Sequence, residues 1–259
     1  MQIFGFASIQ AAEHYDHLPF GVPIGGAFDQ RSMRRANAIV GNSGCAACIE
    51  LALSAMRLRA LEPTLIGIAG ARCTAKFRDQ AAKPGAPLWL QQGDEVDISA
   101  PAPGVLTYVA ARGGFTKIGL ATKRLVAGET LEIQNDLEGD PAVVASPWIT
   151  SAPIEVEPGP QSSMFNMSAF FAGKYEISRQ IDRRGLRIMG LPLAGSKEIA
   201  SEPCCPGAIQ VTPDGQMIIV GPDGPTIGGY PKIAVCIRDS LGIAAQAAPG
   251  ERIVFTMRR

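Results

Sequence analysis

The side chains best suited to chemistry are three closely spaced charged residues, Asp182, Arg183 and Arg187. An arginine can hold an oxyanion through two parallel hydrogen bonds, while an aspartate can fix the arginine or transfer a proton. Such a set could bind a small anion and transfer a proton. We therefore take Asp182 and Arg183 as candidate catalytic residues and Arg187 as a candidate substrate-binding residue. The alternative is a surface ion pair in a turn. Glu202 and Gln210 are weaker candidates.

A second candidate is the turn from Thr226 to Tyr230. Gly228 and Gly229 expose backbone amides that could face an anion, Thr226 offers a hydroxyl donor, and Tyr230 offers a wall or a phenol donor. These four residues are candidate substrate-binding residues. A tight connection between two strands explains the same adjacent glycines equally well.

A third candidate lies before the clearest predicted helix, Gln30–Val40. Asp29 is its predicted N-cap, and Gly41 stands where a C-terminal cap in the left-handed conformation would fall. Gly25 and Gly26 lead into this helix, and the amides and dipole at a helix N-terminus attract small anions. Both glycines are therefore candidate substrate-binding residues. The alternative, which we favour, is that Asp29 caps those amides itself.

The histidines and cysteines give weaker signals. His14 and His17 are either a catalytic pair or ordinary loop residues, and we favour loop residues. Cys45 and Cys48 have the two-residue gap of zinc ribbons and dithiol sites, but a second such pair is absent. We therefore predict small buried cysteines here and no metal site.

Many short strands must position these residues, because 29 glycines and 20 prolines are spread along the 259 residues. A second, shorter helix is predicted from about Leu241 to Ala247, capped by Asp239 or Ser240. The prolines between 139 and 160 suggest two domains, an N-terminal β-rich domain over 1–140 and a C-terminal β domain over 160–259, unless the two intertwine as one unit. The predicted strands are Leu65–Ile68, Val105–Ala110, Ala208–Val211, Met217–Val220 and Arg252–Met257.

Composition excludes several classes of function. The 24 basic and 24 acidic side chains cancel, so neither nucleic acid nor a membrane surface is an expected partner. No run approaches the roughly 18 apolar residues of a membrane span, and the first residues lack the pattern of a secretory signal. Six cysteines are too few for a disulfide scaffold at this length. We expect a cytoplasmic protein.

Several motifs carry a family resemblance, among them GVPIGGAFD at 21–29, EPGPQ at 157–161, GAIQVTPDGQ at 207–216 and TIGGYPKIA at 226–234. In this order the chain resembles the family that groups the C-type subunits of 5-oxoprolinase, the kinase-A-inhibitor antagonists and the second allophanate hydrolase-like, biotin-dependent carboxyltransferase-like proteins. The resemblance implies a mainly β, cyclophilin-like barrel with one or two short helices. It also implies an active site that forms with a sister subunit or domain.

Three departures from the family pattern remove polar groups. In Gln10–His14, an alanine and a histidine stand where the family has an aspartate and an arginine. Ile181 stands where the family has a serine before Asp182 and Arg183. In the 223–230 loop, two polar donors have become glycine and proline, and one threonine an isoleucine. These changes weaken the case for a complete active site.

The resemblance implies a component of an ATP-dependent 5-oxoprolinase-like complex that helps to open the lactam of 5-oxoproline or a related amide. Its partners would be a B-type, kinase-A-inhibitor-like subunit and a third, A-type subunit. ATP would act at the level of the complex, because this chain has no GK[ST] P-loop. The chain also lacks a biotin-attachment signature, so biotin would arrive on another chain if this were a carboxyltransferase. The rival interpretations are a non-catalytic regulatory relative and a carboxyltransferase component for a urea-like amide.

Overall fold

The computed structural model describes residues 2–83, 85–117, 119–120, 122–145, 152–194 and 197–258. The chain forms two compact units, the first from Met1–Glu13 and Asp29–Trp148, the second from His14–Phe28 and Ile149–Arg259. The division near 148 lies within the proline-rich stretch 139–160. Within the described ranges each unit contains an eight-stranded sheet, and the prediction of a mainly β, barrel-type fold is confirmed.

The first unit packs one helix against a strongly curved sheet whose strands run in the order β5-β4-β7-β2-β8-β3-β6, with β1 paired to β2. Its core consists mainly of aliphatic side chains, which the central strands supply from alternate positions. The elements are β1 Gln2–Gln10, α1 Gln30–Val40, β2 Cys48–Arg59, β3 Thr64–Gly70, β4 Ala75–Phe77, β5 Gln80–Ala81, β6 Leu88–Leu90, β7 Glu95–Ile98 and β8 Leu106–Ala111.

The second unit has the strand order β17-β10-β11-β14-β13-β16-β9-β18, beside a small two-stranded sheet of β12 and β15. All its pairs are antiparallel except that of β9 with β18. The elements are β9 Ile154–Pro158, α2 Met167–Ala172, β10 Tyr175–Asp182, β11 Gly185–Met189, β12 Glu202–Pro203, β13 Ala208–Val211, β14 Met217–Val220, β15 Ile227–Gly228, β16 Lys232–Cys236, α3 Arg238–Gln246, β17 Arg252–Ile253 and β18 Phe255–Met257.

The main helix prediction is confirmed in its bounds and caps. The Asp29 carboxylate accepts a hydrogen bond from the Ser32 amide, and Gly41 has a φ of 72°, the left-handed conformation that glycine adopts without steric cost. For α3 the predicted caps are wrong. The helix begins at Arg238 without a side-chain cap, and the Ser240 hydroxyl accepts a hydrogen bond from the Glu155 amide instead.

The strand predictions for 208–211 and 217–220 are confirmed at the same bounds. The predicted strand 252–257 is two strands, because β17 pairs with β10 while β18 pairs with β9. Helix α2 escaped prediction, since six residues are too few for a clear 3.6-residue period. In the described part of the chain, every helix is too short or too polar to cross a bilayer.

Candidate functional site

The first group of polar residues, here called the Arg183 cluster, consists of Arg183, Asp223 and Gly26. Arg183 lies in the turn between β10 and β11 with its side chain 9% exposed. Its Nε donates to Asp223 Oδ2 at 2.8 Å, and its Nη2 donates to Asp223 Oδ1 at 3.0 Å and to the Gly26 carbonyl oxygen at 2.7 Å. The guanidinium therefore holds a carboxylate and a backbone carbonyl together.

Backbone contacts complete the Arg183 cluster. The Gly25 amide donates to the Pro222 carbonyl at 2.9 Å, and the Asp223 amide donates to the Arg183 carbonyl at 3.0 Å. A Cβ on Gly221 would lie 2.2 Å from the Arg183 carbonyl oxygen, so only glycine fits there. Gly25 and Gly26 are thus tied to the 221–224 loop, and the Gly25 amide is already used by a protein acceptor.

Asp182 and Arg187 lie apart from the Arg183 cluster. Asp182 is exposed and forms an ion pair with Arg184 at 2.7 Å, while its Oδ1 accepts from the Arg184 and Gly185 amides. Burial acts to raise the pKa of Asp182, but the hydrogen bonds from Arg184 outweigh it and lower that pKa. Arg187 lies exposed on β11. The structure therefore separates the two candidate catalytic residues, and their catalytic assignment stays a prediction.

The second group, here called the Lys232 cluster, consists of Lys232, Glu202, Gln161 and Gln210. The Lys232 side chain is 4% exposed, and its ammonium donates to Glu202 Oε1 at 2.5 Å. Gln161 Nε2 donates to the same oxygen at 2.9 Å, and Gln161 Oε1 accepts from the Lys232 amide at 3.0 Å. Hydrogen bonds from Lys232 and then Gln161 lower the pKa of Glu202. The carboxylate therefore stays ionised beside a buried cation.

Gln210 lies directly opposite Lys232 in the β13–β16 pair and is also 4% exposed. Its Nε2 donates to Cys204 Sγ at 3.5 Å, and burial raises the pKa of that thiol to about 11. A Cβ on Gly228 would lie 3.0 Å from the same Nε2. The absent side chain at Gly228 thus leaves room for the Gln210 amide.

The four candidate residues of the 226–230 turn border the Lys232 cluster. Gly228 pairs with Glu202 in the β12–β15 ladder. The Thr226 carbonyl accepts from the Cys204 amide at 2.8 Å, and the Gly229 carbonyl accepts from the Ile199 amide at 2.9 Å. Tyr230 is half-buried two residues before Lys232. The loop that begins at Asp223 in the Arg183 cluster therefore ends at the Lys232 cluster.

His14 lies beside Gly25, with its Nε2 3.0 Å from the position of a Cβ on that glycine, and its ring meets that of His17 edge to face. The prediction of buried cysteines holds for Cys48 and is wrong for Cys45, which is exposed in the turn before β2. In the described ranges, no three His, Cys, Asp or Glu side chains come together as a metal site would need.

Lys232 and Gln161 were not among the residues predicted from the sequence. Lys232 opens a strand within the TIGGYPKIA motif, and Gln161 ends the EPGPQ motif. A lysine at a buried strand position requires a partner, because an ammonium is costly to bury alone. That requirement was the available signal. The fold supplies the partner, Glu202, 30 residues away along the chain.

Known proteins share this fold and align with most of this chain. The chain is 27% identical to the C-type subunit of 5-oxoprolinase from Escherichia coli strain K12, over 96% of this chain and 87% of that protein. It is 26% identical to the urea amidolyase of Lachancea kluyveri, over 91% of this chain and 15% of that protein. The crystal structure of TTHA0988 superimposes with a TM-score of 0.87 at 26% identity, over 98% of this chain and 54% of that one. The chain thus spans about half of that solved relative.

A family model described as the carboxyltransferase domain, subdomain A and B, matches residues 20–257. The match covers both structural units and includes the Arg183 and Lys232 clusters. It confirms the resemblance predicted from the motifs. The chain therefore belongs to the carboxyltransferase domain family of subdomains A and B.

Proposed function

We propose that this chain is the C-type subunit of a 5-oxoprolinase-like complex and that the Lys232 cluster binds the amide to be opened. The names of the relatives support a subunit role, since the Escherichia coli and Haemophilus influenzae proteins that align with this chain are named as subunits of 5-oxoprolinase. Lys232 itself carries the proposal for the site. It is a nearly buried ammonium with a single side-chain partner, Glu202, among the described residues.

The Lys232 cluster offers a donor and an acceptor that together match one amide group. An ammonium has three N–H donors, and Glu202 takes one of them, so two have no acceptor among the described residues. Glu202 Oε1 accepts from both Lys232 and Gln161, whereas Oε2 has no partner within the described ranges. An amide or lactam presents a carbonyl acceptor beside an N–H donor, which is the complementary pattern.

Chemistry at this site follows from where charge develops. When a nucleophile attacks an amide, or its oxygen is activated, negative charge grows on the carbonyl oxygen, and a fixed ammonium in a dry site stabilises that charge strongly. The Glu202 side chain is 34% exposed, so a ligand would approach the cluster from the side of Glu202. Lys232 would hold the carbonyl oxygen while Glu202 accepts the amide N–H. The Arg183 cluster would hold the Gly25–Gly26 segment and the start of the 223–230 loop.

The remaining components of the reaction would come from other chains. We infer that a B-type and an A-type subunit assemble with this one, because the relatives in Escherichia coli and Haemophilus influenzae are named as subunits. ATP would be used by the complex, as the family resemblance implies. We place the complex in the cytoplasm, where the six cysteines would stay reduced.

A second candidate function is a carboxyltransferase step on a urea-like amide. The family model and the urea amidolyase relatives favour it. Urea presents the same carbonyl and N–H groups as a lactam, so the Lys232 cluster suits both substrates. A non-catalytic regulatory role is the third possibility, supported by the polar family positions that are lost at Gln10–His14 and in the 223–230 loop.

The test reconstitutes the chain with its B-type and A-type subunits and measures ATP-dependent hydrolysis of 5-oxoproline. Lys232→Met removes the ammonium while keeping the length of the side chain. We expect kcat/KM to fall by about a hundredfold or more, the usual effect of losing one oxyanion donor. Lys174→Met, at an exposed position of the same unit, is the matched control and should leave kcat/KM unchanged.

The outcomes separate the candidates. Activity with 5-oxoproline that is lost in Lys232→Met and kept in Lys174→Met supports the proposal. Activity with urea and a biotinylated partner instead supports the carboxyltransferase. Full 5-oxoproline hydrolysis by Lys232→Met, or hydrolysis by the partners without this chain, contradicts the assignment of the Lys232 cluster.

A further inference from the structure

A cavity of about 610 Å³ lies in the first unit, where its curved sheet fails to close. The strand order runs from β5 at one end to β6 at the other, and among the described residues no hydrogen-bonded pair joins these two end strands. Residues of β3, β4 and β6, with the segments that follow β3 and β5, line the gap. This seam cavity therefore occupies the open side of an incomplete barrel, and barrel openings are common ligand sites.

The floor of the seam cavity is apolar. Ile66, Ala69 and Ala71 are each less than 5% exposed, and Leu88 and Ala86 continue the apolar wall. Small side chains keep the space open, because alanines stand where larger residues would fill it. The volume falls within the range of roughly 300 to 1,000 Å³ that is typical of small-molecule sites.

The rim of the seam cavity carries positive charge without negative charge. Arg72 and Lys83 both line it, and no Asp or Glu is among the lining residues. Within the described ranges neither cation takes part in an ion pair or a side-chain hydrogen bond. Some other basic residues of this unit form ion pairs, such as Arg57 with Asp97 and Arg78 with Asp94. Burial raises the pKa of Cys73, so its thiol adds no negative charge.

From the apolar floor and the two unpaired cations we propose that the seam cavity binds a small organic anion, with an apolar body against Ile66 and Ala69 and a carboxylate or sulfonate between Arg72 and Lys83. An acidic head group would pair with both cations, while the apolar body would gain by leaving water. The site lies in the first unit and is independent of the Lys232 cluster in the second.

The test uses two fluorescent probes of similar apolar body on the full chain. The first, 8-anilinonaphthalene-1-sulfonate, carries one negative charge, and the second, N-phenyl-1-naphthylamine, carries none. We expect saturable binding of about one sulfonate probe per chain, weakened by added salt because part of the attraction is electrostatic. The neutral probe should bind about tenfold more weakly or worse, the effect of losing one charge-assisted contact.

Three variants locate the bound probe. Arg72→Gln with Lys83→Gln should weaken the sulfonate probe by about tenfold or more and leave the neutral probe unchanged. The control pair, Arg59→Gln with Lys76→Gln, removes the same charge from exposed positions outside the cavity and should change neither probe. Ala86→Phe should exclude both probes by filling the space. Circular dichroism and melting temperature confirm that each variant is folded.

Several results overturn the proposal. They are an absence of saturable binding by the wild-type chain, equal affinity for the charged and neutral probes, and an equal loss in the lining and control pairs. Unchanged binding of both probes by a folded Ala86→Phe variant also overturns it, because the probe would then lie elsewhere.

Discussion

The Arg183 and Lys232 clusters both hold a cation against a carboxylate, yet they differ in how the hydrogen-bond donors of the cation are used. Arg183 uses Nε and Nη2 on Asp223 and Gly26, and backbone bonds lock the same segments. Lys232 has one side-chain partner among the described residues, at a carboxylate that is partly exposed. The first arrangement fixes chain segments, whereas the second leaves two N–H donors of the ammonium without an acceptor among the described residues. A charged pair is thus better judged by its unused hydrogen bonds than by its burial.

The largest expected effect is on stability, from opening the Arg183 cluster. Arg183→Ala leaves the Asp223 carboxylate, 21% exposed, without its bidentate partner, and frees the Gly26 carbonyl. We expect the free energy of unfolding to fall by about 3 kcal/mol, as when one partner of a largely buried pair is removed. Urea denaturation measures this change. Arg183→Lys restores the charge but not the two parallel hydrogen bonds of the guanidinium, so it should recover part of the loss.

The next effect comes from crowding the same cluster. Gly221→Ala would place a Cβ 2.2 Å from the Arg183 carbonyl oxygen, and the backbone must shift to admit it. We expect a loss of about 1 to 3 kcal/mol in the free energy of unfolding, the usual cost of overpacking. Gly139→Ala, where a Cβ would meet nothing within 4 Å, is the control and should change little. Equal melting temperatures for the two variants would contradict the tight packing at Gly221.

A smaller effect should appear in the titration of Glu202. Its pKa is lowered by Lys232 and Gln161, so the folded carboxylate contributes stability above its unfolded pKa and loses it as the pH falls through the folded value. In Lys232→Met we expect this pKa to rise towards the ordinary glutamate value of about 4.3. Carbon-13 NMR of the labelled carboxyl groups measures it. An unchanged pKa would mean that the Lys232–Glu202 contact does not form in solution.

The smallest effect is expected at Asp182, which lies outside both clusters. Its ion pair with Arg184 is exposed, and exposed pairs contribute about 0.2 to 1 kcal/mol. Asp182→Asn keeps an acceptor for the amides of the turn, so we expect a change of about 0.5 kcal/mol or less and unaltered kcat/KM. A large loss of activity in a stable Asp182→Asn protein would support the prediction that Asp182 is a catalytic residue and weaken the contrast between the clusters.

Local signals in the sequence predicted much of the fold. The carboxylate of Asp29 and the left-handed Gly41 bound the first helix, and the runs 208–211 and 217–220 are strands because turn residues flank them. Family motifs predicted the fold class. Features that depend on distant pairing escaped prediction. The break at Val254 is an example, because β17 pairs with β10 and β18 pairs with β9, and both partners lie far from Val254 along the chain.

The candidate site was harder to predict for the same reason. Asp182 and Arg183 are adjacent in sequence, which suggested joint action, but one is exposed and the other is buried. The members of the Lys232 cluster are separated by 30 and 71 residues, so only the fold brings them together. The sequence indicated Glu202 and Gln210 as weak candidates, without showing that Lys232 lies between them.

The binding of the lactam at Lys232 can be tested by a crystal structure of the assembled complex with 5-oxoproline, or with a lactam analogue that resists hydrolysis. We expect the lactam oxygen to lie within about 3 Å of Lys232 Nζ and the lactam N–H to point at Glu202. A lactam bound at Asp182 and Arg187, or at any place that leaves Lys232 with Glu202 as its only partner, would contradict it.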